Sequence, residues 1–135
     1  MQAIIDTVTK YVDFPTRVLM ALLFLMSAHI KITQVAAMQG YMHAYGVPGM
    51  LLWPAAAREF MAGLLLVAGM WVRPLSLGLA GWCVLTAAIF HTDLSVLDME
   101  LHFFKNMAMA GGFLLVAKSG APGFGVDGWL ASRRG

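Results

Sequence analysis

Near the start of its last apolar run the sequence reads "HFFKNMAMAGGFLL", residues 102 to 115. His102, Lys105 and Asn106 stand at i, i+3 and i+4 there, which lays them along one stripe of a helix. Comparable groups stand in three other apolar runs: Ser27, His29 and Lys31; Arg58 and Glu59; and His91. A carboxylate, two amines, an amide and imidazoles in apolar surroundings are the parts of a proton relay or of a small polar site. The simplest arrangement has Glu59 accepting hydrogen bonds from Lys31, Lys105 or both, with Arg58 reaching for the headgroups. Glu59 lies six residues past Trp53, about 9 Å along a helix, where a lone charge is costly.

Three uses of such a cluster compete. The plainest is structural: ion pairs fix helix register and polar tips near helix ends snorkel. In the second, Lys31, Asn106, His29 and their neighbours form a pocket whose donors bind the carbonyl oxygens of a quinone. Lys105 or His91 then stabilises negative charge on the reduced ring, and Glu59 relays a proton. In the third, His29 and His91 act as axial ligands of a haem. No HxxxH, HExxH or CxxC spacing supports a metal, so no metal site is expected, and haem is the weaker of the cofactor readings.

The elements that must position these groups follow from composition. Of 135 residues 60% are hydrophobic and only 12% charged, far from the roughly 45–50% and 25% of soluble domains. A chain this short has no core large enough to bury that surface, so the lipid bilayer must receive it. Four stretches reach the length of about 20 residues that a span needs: 16–35, 53–72, 74–92 and 102–119. Small residues among them, such as Gly63, Gly69, Gly111 and Gly112, allow close helix approach. The expectation is an all-α integral membrane four-helix bundle, one domain over residues 1–135. Short interfacial helices are expected at the N-terminus, ahead of Pro15, and in the uncharged first loop, "AAMQGYMHAYGVPGMLL". In the tail, Asp127 is expected to cap a last short helical turn, with Trp129, Arg133 and Arg134 at the headgroups.

The N-terminus lacks the basic start, compact apolar core and cleavage site of a signal peptide. Lys10, Arg17, Arg73, Lys118, Arg133 and Arg134 gather on one predicted side of the membrane, which the positive-inside rule makes cytoplasmic together with both termini. A net charge of +2 without basic clusters makes nucleic acid no partner. The one cysteine, Cys83, forms no disulfide or CxxC pair within a chain.

In order and spacing, "RVLMALLFLMSAHIK", "YMHAYGVPG", "EFMAGLLLVAGMWVRPLSL", His91 and "KNMAMAGGFLLVAKSGAPGFGVD" make the chain resemble the DoxX/DoxD family of small four-helix membrane proteins. Arg17, Lys31, Gly46, Pro48, Glu59, Gly63, Gly69, Arg73, His91, Lys105, Asn106, Gly111, Gly112, Gly120 and Asp127 match the pattern. His29 departs from the small residue usual there. The resemblance implies membrane-bound redox work, the family being linked with thiosulfate:quinone oxidoreductase, resistance to quinones and thiol stress, and assemblies of redox enzymes. The expected function is thus a quinone-linked oxidoreductase subunit of a bacterial plasma (inner) membrane. It would pass electrons between a partner redox subunit, or a small reductant such as thiosulfate, and the quinone pool. The alternative is a non-enzymatic anchor or assembly subunit, and a homo-oligomer fits either.

Overall fold

The computed structural model describes residues 1–135, the side chain of Lys10 aside. Helix α1 runs Gln2–Thr33, and after a bend at Gln34 the short α2 covers Val35–Ala44. A 3₁₀ turn, Gly49–Leu51, leads into α3, Leu52–Ala68; α4 is Val72–Phe90, α5 Leu97–Ser119 and α6 Val126–Arg134. The α1–α3 and α4–α5 pairs pack along their lengths, and lighter α1–α5 and α3–α4 contacts close a four-helix ring. Ala21, Phe24, Ala62, Leu66, Leu79, Ala80, Cys83, Ala110 and Phe113 form the core, with Phe24 meeting Phe113 edge-on at 5.5 Å.

Three segments are long and apolar enough to cross a membrane: Tyr11–Thr33, Gly49–Ala68 and Val72–Phe90. Only 22–33% of the residues in these windows are buried within the chain, so their outward side chains, among them Leu19, Phe60, Leu64, Leu77 and Leu85, require a lipid surround. Helix α5 has the length but not the composition. Lys105 and Lys118 confine its uncharged apolar stretch to residues 107–117, and the packing against α4 completes the bundle.

The boundaries depart from expectation in two places. The N-terminal segment is helical but not a separate helix, because α1 continues through Pro15. Proline removes a single rung there, and the strong helix formers on its C-terminal side carry the helix on. Helix α5 starts at Leu97 and not at residue 102, with Asp98 and Glu100 in its first turn, where the helix dipole favours acidic side chains.

Both termini and the α3–α4 turn gather at one end of the bundle, and Arg17 organises them. It is 1% exposed. Nη1 donates to the carbonyls of Leu66 (2.7 Å) and Val67 (3.2 Å), Nη2 donates to that of Phe124, and Asp13 lies 3.8 Å away. Arg17 is therefore a C-terminal cap for α3 and not one of the surface charges. Gly69 ends α3 at φ 69°, with Met70 N–H donating to Leu65 O and Gly69 N–H to Leu66 O, the two bonds of a Schellman stop. A Cβ on Gly69 would lie 2.6 Å from Arg17 Nη1 and 2.7 Å from Gly125 Cα, so glycine is required both for its backbone and for space.

Asp127 caps a different helix from the one expected. Its carboxylate accepts the N–H groups of Trp71 and Val72, each at 2.9 Å, while its own N–H donates to Gly69 O. The cap holds Trp71 at φ 52°, a conformation non-glycine residues rarely take. Asp127→Ala is expected to destabilise the protein by about 1–2 kcal/mol and Asp127→Asn by less, read from unfolding in mixed detergent micelles.

Candidate functional site

The opposite end of the bundle holds the polar cluster. Glu59 faces inward from α3 and is 4% exposed. Lys31 Nζ donates to its Oε2 at 2.8 Å and to Ser27 Oγ, one turn back on α1, at 2.6 Å. Trp82 of α4 donates its indole N–H to Oε1 at 3.3 Å. Gly63 makes the pair reachable: it lies one turn from Glu59 on the same face, and a Cβ there would sit 2.6 Å from Leu25 Cδ2 of α1. Carboxylate and ammonium thus cancel each other in a medium that would penalise either alone. Arg58 is exposed on the outer side of α3, and its guanidinium lies 4.0 Å from the Trp82 ring centre, a cation–π contact.

Beside the ion pair is a cavity of about 480 Å³, within the usual size of small-molecule sites, roughly 300–1,000 Å³. Its wall is mostly apolar, from Phe24, Met38, Met42, Leu52, Ile89, Phe90 and Met109, and its polar groups are Ser27, Lys31, Tyr41, Glu59, Trp82, Thr86, His91 and Asn106, with Cys83 between. Helix α2 forms one side. Tyr41 stacks on Phe90 at 5.5 Å, Tyr45 meets the same ring edge-on at 5.4 Å, and Tyr41 Oη donates to Phe90 O at 3.3 Å. Burial pushes the pKa of the Tyr41 hydroxyl up to about 12. Gln39 Nε2 ties α2 to Gly49 O at 3.1 Å.

Of the residues singled out in the sequence, Lys31, Glu59, His91 and Asn106 meet at this cavity; His29 and Lys105 do not. Successive residues of a helix point roughly 100° apart, so Asn106 facing inward turns Lys105 to the exposed side, away from Glu59. His29 lies two residues from both Ser27 and Lys31, hence on the opposite, exposed face of α1. It does not converge with His91 as an axial pair would. Asn106 donates to His102 O in its own helix at 2.9 Å, leaving a second N–H and its carbonyl oxygen to offer. The His91 ring stacks on His102 at 5.1 Å, and its buried Nδ1 has no hydrogen-bond partner among the described residues. Among the described residues no three His, Cys, Asp or Glu side chains are grouped to hold a metal ion.

Sequence reasoning missed Trp82 and the α2 wall. An indole in an apolar run has no distinguishing spacing, although Trp82 shares a helix face with Gly78 and Thr86 and its N–H, once buried, had to find an acceptor.

A helical bundle with lipid-facing spans and an inward polar cluster is an integral membrane protein. The model of the DoxX family matches residues 12–92. The chain is 40% identical over 111 residues to the inner membrane protein YqjF of Escherichia coli (strain K12), covering 82% of this chain and 85% of that one. It is 30% identical over 118 residues to the inner membrane protein YphA of the same organism, covering 82% and 84%. No solved structure matches. The chain belongs to the DoxX family.

Proposed function

We propose that this chain is a quinone-linked redox subunit of the bacterial inner membrane, with both termini cytoplasmic, passing electrons between a partner or small reductant, such as thiosulfate, and the quinone pool. The observation that carries the reading is the apolar cavity whose few polar groups include a buried Lys31–Glu59 pair and an unpartnered His91 Nδ1. The inner membrane location of both E. coli relatives supports the placement. Arg73, Lys118, Arg133 and Arg134, on the end that carries the termini, support the orientation.

The donor set fits a planar ring bearing two carbonyl oxygens. A quinone bound there supplies two-electron, two-proton redox chemistry. Lys31 offers its ammonium to one oxygen, and His91 Nδ1 offers a second polar contact. Glu59, held between Lys31 and Trp82, can exchange a proton with the cavity while Lys31 balances its charge. The aromatic rings of Tyr41 and Phe90 shelter the site from water.

The test is titration of purified protein in nanodiscs with a soluble benzoquinone, followed by tryptophan fluorescence against a Trp82→Phe control. Saturable quenching is expected, weakened roughly ten-fold by His91→Phe through loss of one polar contact in a buried site. Absence of saturation, or a partner protein that co-purifies with a chain unable to bind quinone, would favour an anchoring subunit instead.

A further inference from the structure

A second concavity lies on the lipid-facing side of the bundle, where α3 and α4 are joined by a tight turn yet touch only lightly. It has a volume of about 340 Å³, with Arg58 at one end, Pro74 at the other and Met61, Leu65, Leu75 and Gly78 between. A side chain at Gly78 would meet nothing within 4 Å, so the groove is open beside that residue. From Arg58 to Leu65 it runs roughly 10 Å.

Arg58 lies within the membrane-crossing segment Gly49–Ala68, and no carboxylate of the described residues is within ion-pair distance of it. The neighbouring Glu59 is already engaged by Lys31 and Trp82. A permanent cation in a lipid-facing position draws an anion from its surroundings, and a guanidinium presents a planar fork that fits phosphate oxygens. Below it lies a narrow apolar channel. The cation at one end and the apolar walls beyond it match the make-up of a phospholipid, a charged head on an apolar chain that can lie along Gly78. We infer that the α3–α4 groove is a binding site for an anionic phospholipid, with its phosphate on Arg58 and one acyl chain beside Gly78. The site adjoins the cavity, because the Arg58 guanidinium rests on the Trp82 ring whose N–H serves Glu59.

Native mass spectrometry of the full chain, released from micelles carrying equal amounts of phosphatidylglycerol and phosphatidylcholine, tests this. One phosphatidylglycerol is expected to be retained over phosphatidylcholine by about five-fold, the effect of one basic side chain near a charged lipid. Arg58→Gln should abolish the preference. Gly78→Leu, which fills the groove and leaves Arg58 in place, should abolish retention of both lipids, with helicity unchanged by circular dichroism. Equal retention of the two lipids by the unsubstituted chain overturns the inference, as does a preference that survives Arg58→Gln. Lipid retention unchanged in Gly78→Leu overturns it even where Arg58→Gln does not fold. A dimer converted to monomer by Gly78→Leu would assign the groove to a second copy and overturn it as well.

Discussion

Arg17→Met is expected to destabilise the protein by about 3–5 kcal/mol, the range seen when one partner of a buried charged network is removed. The substitution keeps the length of the aliphatic stem, so the loss is of polar contacts and not of packing. It strips donors from the carbonyls of Leu66, Val67 and Phe124 and leaves the Asp13 carboxylate, 10% exposed, without its nearest cation. Unfolding in mixed micelles measures the effect, and limited proteolysis supplies a second readout, since the segment around Phe124 should become cleavable while the outer cavity is intact. Combined with Asp127→Ala the losses should add to less than their sum, because both residues fasten the same tail to the same turn. A change below about 1 kcal/mol would mean that water or lipid replaces the guanidinium without penalty.

The Lys31–Glu59 pair separates stability from ligand binding. Lys31→Met leaves a 5% exposed carboxylate with only the Trp82 N–H and is expected to be destabilising by about 3 kcal/mol or more. Glu59→Leu should be milder, because Lys31 is 20% exposed and its long stem lets the ammonium move toward water. The double variant replaces a buried ion pair with apolar groups of similar bulk, so its stability should return to within about 1 kcal/mol of the starting protein. Quinone retention should not return, under the proposed function, because the cavity has lost its proton-exchanging pair. A double variant that recovers both properties would reduce the pair to a device for helix register.

Much of this arrangement is legible in the amino-acid sequence. Helical segments, their small-residue faces and the need of Glu59 for a cation follow from hydropathy, spacing and the penalty on charge in lipid. What spacing withholds is absolute rotation. The stripe His102, Lys105, Asn106 defines a face of α5 but not how that face is turned, and a rotation set by α4 packing sends Asn106 to the cavity and Lys105 out. Partners distant in sequence were hidden for a related reason. Arg17 has the residue type and position of an ordinary membrane-surface charge, and only the approach of the α3 terminus and of Phe124 makes it a buried cap. Asp127 begins a short helix and so has the local credentials of its N-cap; its actual acceptor role serves N–H groups 55 and 56 residues earlier. Pro15 misled in the opposite direction, because local preference for a helix stop was outweighed by the helix formers that follow it.

The same Asp127 contact has a consequence for biosynthesis. Chains emerge N-terminal end first, so α4 must enter the membrane with its first turn uncapped and Trp71 unsupported. The bundle can be inserted before the tail exists, but the α3–α4 turn is locked only when the last helix folds back upon it. The final stretch of the chain is therefore the clasp that closes an already threaded structure.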